Sequence, residues 1–394
     1  MIAYNPNDPV TQADPFGIYQ QLRDQAPLYH RSKAPEFWAL SRHADVAAAL
    51  PDFRRYSSDH GPALEQWAPD ARKSMSFVAM DPPDQHRMRT LISRGFTPGR
   101  VRQLEPRVRE LTRMYLEPAL ERGTFDFVED LAAKIPMDVI GELIGVPRAD
   151  RAALLQLAQQ VMTRDDVTGR LTLAVRDANA KLAHYYLELI KDRRRHPRED
   201  LASALLKAEI DGDRLSDGDV VATLMLLGIA GVETTVRLLG TAWRLAWQHP
   251  DQRAAAFADV GSWVEETLRF DGPSQYTARR VTRSVQLHGR EVPEGAPLLL
   301  LLAAANRDER VFPEADKFIV GRDTTHVLAF GLGSHFCLGA PLARLEATTV
   351  LRELVAAVEP DYDINLEGAV WARSPIVRGH SRLPTTIKPR ERLM

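Results

Sequence analysis

Apolar residues recur at three- and four-residue spacing through most of this chain, and that period predicts a mostly helical protein. A first helix is expected over Pro15 to Gln25, followed by strand-like residues from Leu28 to Leu40 that end in Phe37-Trp38-Ala39-Leu40. Ser41 is placed to N-cap a short helix ending before Pro51. Gly61 to Asp84, with Pro62, Pro69, Pro82 and Pro83, reads as a loop, and one so long is uncommon unless it has a function. From Asp84 to Arg194 the helical period is almost continuous, broken near Pro98, Gly123, Pro147 and Asp165–Gly169. Ser216 and Asp219 make a capping-box pattern that opens a helix running to His249, a length of about 50 Å at 1.5 Å per residue. A further helix is expected over Gly261 to Phe270, strands over Val281 to Leu287 and Pro297 to Ala303, and a last helix from just after Cys337 to about Val358. No repeat or low-complexity linker divides this pattern. The expectation is a single domain over residues 1–394, mainly α (α+β), with small β-sheets and one long central helix.

Composition narrows the possible functions. At 394 residues and 44% hydrophobic the chain can bury a large core, and its formal net charge of −2 does not suggest a nucleic-acid binder. Met1 to Gln21 is polar and carries no signal-peptide pattern, and the apolar run Val220 to Val232 is shorter than the roughly 18–20 residues of a membrane span. A cytoplasmic protein is expected. The single cysteine excludes an intrachain disulfide framework and any Cys-rich zinc or iron–sulfur site. Cys337 is therefore an inert thiol, a nucleophile or a lone metal-ligand thiolate.

Its neighbours bear on the choice. Phe330-Gly331-Leu332-Gly333-Ser334-His335-Phe336-Cys337-Leu338-Gly339 lies between a strand-like stretch and a helix whose first turn holds Pro341. Two glycines allow a tight loop that approaches a flat object closely, and a helix N-terminus favours a thiolate. A dinucleotide loop is a poor fit, because Phe336 stands where its third glycine belongs. A nucleophile with His335 as base also suits a helix N-terminus, although no third group is visible to orient the histidine. The segment resembles the haem-binding signature of the cytochrome P450 family, Phe-Gly-x-Gly-x-His-x-Cys-x-Gly, at every specified position. This resemblance implies haem b with Cys337 as its axial thiolate, Phe330 and Gly331 beside it, His335 on a propionate and Gly339 after the ligand. A thiolate ligand pushes electron density to iron and favours O–O cleavage.

Three further motifs follow the family's order, and the resemblance runs from Asp14-Pro15-Phe16 to Arg378-Gly379. Ala230-Gly231-Val232-Glu233-Thr234-Thr235 sits mid-helix, where a Thr hydroxyl can bond back to an earlier carbonyl and open a notch. Close helix packing at Gly231 with an ordinary buried Thr explains the hexapeptide equally well. The resemblance implies that Ala230 lies over the haem, Thr234 holds the hydrogen-bond network around dioxygen and Glu233 feeds it protons. Glu266-Thr267-Leu268-Arg269 resembles the family's structural Glu-x-x-Arg pair, with Arg322 of Phe318-Ile319-Val320-Gly321-Arg322 as third partner. Asp81 to Arg89 resembles the start of the propionate-binding helix. It implies Arg89 on a propionate and Gln85 where many members carry His, while Arg279 is preferred to Arg280 for the second propionate.

The implied activity is that of a bacterial-type monooxygenase that hydroxylates or epoxidises a largely apolar molecule such as a terpenoid, steroid, fatty acid or polyketide, as in secondary metabolism. The register places Leu226, Ile229 and Ala230 above the haem and Gln275 and Thr277 opposite, with Trp67, Phe77, Val78 and Met80 as a lid. No flavin or iron–sulfur segment is visible, so electrons are expected from a separate ferredoxin and its reductase. Arg100, Arg102, Arg107, Arg109, Arg113 and Arg344 are candidates for a basic docking face. A peroxide-using peroxygenase and a non-catalytic haem-thiolate sensor are the alternatives.

Overall fold

Ser216 opens the longest element. Its hydroxyl accepts the Asp219 N–H at 3.1 Å while the Asp219 carboxylate accepts the Ser216 N–H at 3.2 Å, closing the box read in the sequence. The helix runs Asp217–Gln248 and stops at His249, where Pro250 begins another. This helix is long and apolar enough to cross a membrane, but most of it is buried inside the chain's own core. Helices Lys134–Ile144, Leu173–Arg195, Val260–Asp271 and Ala340–Ala357 pack around it. Gly228 leaves room for Tyr186 of the packed helix Leu173–Arg195, since a Cβ there would stand 2.4 Å from the Tyr186 hydroxyl and the ring would have to shift.

The structure is a computed structural model that describes residues 2–163, 171–210 and 212–390. The expected break at Asp165–Gly169 lies outside the described residues. The breaks near Gly123 and Pro147 are present: Gly123 and Gly145 end their helices at φ 70° and 98°. The break near Pro98 is present too, with Thr97 capping helix Pro98–Gln103.

Beside the helices lies a five-stranded sheet in the order Leu28–Arg31, Phe37–Leu40, Pro297–Leu300, Thr277–Val281, Tyr56–Ser57. Leu298 pairs with Trp38 in parallel, and the other neighbours are antiparallel. Several sequence boundaries need correction. Ser41 is not the N-cap. Arg42 holds that place, and the His43 N–H is satisfied by the distant Asp308 carboxylate at 2.9 Å. The expected strand over Val281 to Leu287 is interrupted: Val281 ends the strand Thr277–Val281, residues 282–284 are not strand, and Val285–Leu287 is a separate strand that turns back on Arg290–Val292 through His288 and Gly289, both at positive φ. The strand from Pro297 ends at Leu300 and gives way to helix Leu302–Ala305. The expected loop over 61–84 holds short helical turns at Leu64–Gln66, Arg72–Met75 and Ser76–Ala79.

Candidate active site

The cysteine loop is fixed at both ends. The Cys337 N–H donates to the Phe330 carbonyl at 2.9 Å, and the Gln85 side-chain amide donates to the Ser334 carbonyl at 2.7 Å. Gly331 and Gly333 have φ near 70°, and a Cβ at Gly333 would lie 2.8 Å from Pro51 Cα. Glycine is thus demanded at Gly333 both by conformation and by contact. Helix Ala340–Ala357 starts next, with Gly339 at its N-cap. Crowding by surrounding protein pushes the Cys337 thiol above its ordinary range, against the Gly339 N–H, the Arg89 charge, the Ala340 N–H and the Arg344 charge. The sulfur itself opens onto a cavity.

That cavity has two lobes of about 270 and 310 Å³, which share Val78, Leu226, Ala230, Thr234, Thr235, Phe330, His335, Cys337 and Ala343. Thr234 donates its hydroxyl to the Ala230 carbonyl at 2.8 Å, and Thr235 does the same to Gly231 at 3.1 Å. The back-bonding expected for this stretch is therefore present. Glu233 faces elsewhere. It is buried with Oε2 2.5 Å from Arg237, which also donates to the His380 carbonyl. Its Oε1 has no partner among the described residues, and the side chain lines a separate void of about 230 Å³ with Arg237, Trp371 and Ser381.

One pole of the cavity collects donors that form no ion pair among the described residues, although the Asp81 charge acts on Arg279. Arg279 is buried, donates among the described residues only to Thr277 and to the Ala278 carbonyl, and its pKa is pushed down to about 10 by that burial. Arg280, its rival in the sequence, is committed to Asp59. Arg89 lines the cavity with no carboxylate among the described residues, and burial lowers its pKa. His335 Nε2 is buried with no partner among the described residues, and burial together with the Arg279 and Arg89 charges pushes the ring down to about 3. Two arginines and an imidazole in want of acceptors fit a ligand with two carboxylates. A thiol on the floor fits its metal.

The remaining expected site residues divide. Leu226, Thr277, Phe77, Val78, Gly331 and Gly339 line the cavity. Gln85 does not; it anchors the loop backbone. Ile229 does not, whereas Leu227 does, because residues two apart on a helix point about 200° apart, onto opposite faces. Gln275 is turned away, held between Tyr19 at 3.2 Å and the Gly272 carbonyl at 3.0 Å, and Tyr276 lines the cavity instead. Trp67 and Met80 lie off the lining, Trp67 packed against His60 at 5.3 Å and Met80 buried in the main core. Glu266, Arg269 and Arg322 do meet: the first two make paired contacts of 2.7 Å with no solvent exposure, and Arg322 reaches Glu266 at 3.4 Å. The basic face is largely neutralised from within. Arg107 pairs with Glu142 and Glu110, Arg109 and Arg113 with Glu353, and Arg344 with Glu265, leaving Arg100 and Arg102 exposed.

Sequence reasoning missed Glu346, a cavity-lining carboxyl that burial alone pushes up to about 8 and whose Oε2 has no partner among the described residues. An acid sharing a helix face with Leu342 and Val350 was the available signal.

Residues 260–359 match the family described as Cytochrome P450. A putative cytochrome P450 123 of Mycobacterium tuberculosis is 45% identical over 99% of this chain and 98% of its own length. The vitamin D(3) 25-hydroxylase of Pseudonocardia autotrophica is 38% identical over 96% of this chain and 94% of its own. Among solved structures, cytochrome P450 CYP109Q5 from Chondromyces apiculatus superposes with a TM-score of 0.88 at 35% identity, covering 99% of this chain and all of that one. With relatives of this similarity along its whole length, and a cavity whose floor and poles suit haem b, the chain belongs to the cytochrome P450 family as a bacterial monooxygenase.

Proposed function

We propose that this monooxygenase hydroxylates or epoxidises a largely apolar molecule of terpenoid, steroid, fatty-acid or polyketide type in the cytoplasm, with electrons from a ferredoxin and its reductase. The observation that carries this reading is the cavity in which Cys337 and Thr234 face the same mostly apolar walls of Phe77, Val78, Leu226 and Leu227. The relative named for vitamin D(3) supports a substrate of that bulk and polarity. Haem b, when bound, supplies the dioxygen and electron chemistry. Cys337 is the thiolate ligand, and Arg89, Arg279 and His335 hold the two carboxylates. A leucine at Arg279 is expected to lower the haem-to-protein ratio after gel filtration several-fold, whereas Arg280→Leu retains it. Equal retention in both would remove Arg279 from the cofactor.

Thr234 holds a proton at the cavity wall and must give up its bond to Ala230 to present it. Glu233, one residue back, opens onto the other void and can take protons from it when released from Arg237. Thr234→Ala is expected to keep oxygen consumption while product per oxygen consumed falls about tenfold, the loss going to peroxide. Glu233→Gln is expected to slow turnover by about 10²-fold, within the usual range for a positioned acid. Both are read with reduced ferredoxin and labelled dioxygen. If product formed with peroxide but never with reduced ferredoxin, or unchanged coupling in Thr234→Ala, the dioxygen-using reading would give way to a peroxygenase.

A further inference from the structure

Ser76 is a serine in a backbone conformation that L-residues rarely adopt, φ 50° and ψ −139°. Its N–H closes the preceding helical turn on the Arg72 carbonyl, and the residue is almost fully buried, at 1% exposure. Its hydroxyl lies 2.8 Å from Thr223 Oγ1 on the central helix, 147 residues away. Thr223 spends its own proton on the Asp219 carbonyl at 2.7 Å and is itself fully buried. The direction is therefore settled: Ser76 donates and Thr223 accepts. Phe77 and Val78, the next two residues, form one wall of the Cys337 cavity, and Leu226 and Leu227, one helical turn beyond Thr223, form another.

We infer that the Ser76–Thr223 bond is a latch that sets the spacing of these two walls, making Ser76 and Thr223 positioning residues for substrate selection. This inference rests on the proposal that the cavity receives an organic substrate. Glycine would hold the backbone at Ser76 without strain, but it has no hydroxyl to grip the helix. Serine keeps the difficult backbone because its side chain is bonded, and the bond transmits the helix position to Phe77 and Val78. Neither side chain touches the sulfur or the acid–alcohol pair, so the latch acts through the wall alone.

The test uses the haem-loaded protein with Ser76→Ala, Ser76→Gly, Thr223→Val, the Ser76→Ala/Thr223→Val double variant and the hydroxyl-keeping Thr223→Ser. Amide hydrogen exchange at Phe77 to Met80 is expected to quicken about three- to tenfold in each variant lacking a hydroxyl, the effect of one net hydrogen bond. The double variant should be no faster than either single one, and Thr223→Ser should match wild type. Spectral titration with 4-phenylimidazole, which reaches the walls, should show at least threefold weaker binding in the same variants. Imidazole alone, which does not, should bind as before. Additive effects in the double variant, unchanged exchange, or equal shifts for both probes would overturn the latch. If wild type bound neither probe, the haem reading would fall, while the exchange data would still decide for or against the latch.

Discussion

Cys337→Ser is expected to abolish the far-red Soret band of the reduced, carbon-monoxide-treated protein and to take dioxygen-dependent turnover to background. The chain has no second cysteine, so no other thiolate can substitute. A serine oxygen is a harder, far less acidic donor, and it removes the electron push that favours O–O cleavage. The loop itself should survive. Its shape comes from backbone bonds of Cys337 to Phe330 and of Ser334 to Gln85, and from Gly333 seated on Pro51, none of which uses the sulfur. Circular dichroism and gel filtration should therefore match wild type. A variant that keeps the wild-type carbonyl spectrum would show that Cys337 is not the ligand, and the assignments of Thr234 and the carboxylate pole would fall with it.

Replacing Arg269 by Leu is expected to cost the most stability of any single change outside the main hydrophobic core. Glu266 and Arg269 have no solvent exposure, and Arg269 also donates to the carbonyls of Asn306, Ala315 and Lys317 at 2.9 to 3.1 Å. Removing the guanidinium leaves a buried carboxylate with only the Ile319 N–H at 2.9 Å and the longer contact from Arg322. Breaking such a pair typically costs about 3–5 kcal/mol, against a total of roughly 5–15 kcal/mol for a folded protein. Removing both partners should recover only part of this, because the Asn306 and Ala315 carbonyls lose their Arg269 donor and Lys317 keeps only the 3.3 Å bond from Arg322. The measurement is a urea or thermal melt followed by circular dichroism. A loss below about 1 kcal/mol would mean that the triad holds nothing in place.

Legibility from sequence followed distance along the chain. Within a single turn the residue pattern was enough: the Ser216–Asp219 box and the glycine stops at Gly123 and Gly145 depend on neighbours a few positions away, whereas the loop around Cys337 was legible from its motif while its distant supports, Pro51 and the Gln85 bond to Ser334, were not. Three charged partners could be matched across longer distances, Glu266, Arg269 and Arg322, because the family resemblance supplied their pairing. Side-chain direction was harder. A two-residue error on a helix turns the side chain about 200°, which is why Leu227 and not Ile229 lines the cavity. Direction was also missed just before the strand Thr277–Val281, where Gln275 bonds to Tyr19 while Tyr276 faces the site. Glu346 and the Ser76–Thr223 bond were invisible because their meaning lies in what surrounds them after folding. The arginine face was misread for the same reason, since charge composition does not show that Glu353 and Glu142 already occupy it.

The parallel pairing of Trp38 with Leu298 has a consequence for how the protein is made. The hairpin Leu28–Leu40 leaves the ribosome about 260 residues before the strand that completes its edge. At typical bacterial synthesis rates that delay is on the order of tens of seconds. Throughout it, the hairpin has Tyr4, Tyr29 and His30 against Phe37 and Trp38 but lacks Leu298 and Leu300, which complete the cover of Trp38 and Leu40, and pairings this distant in sequence form slowly in any case. The edge of the N-terminal sheet thus stays open through most of translation, and the nascent chain is expected to need chaperone shelter there.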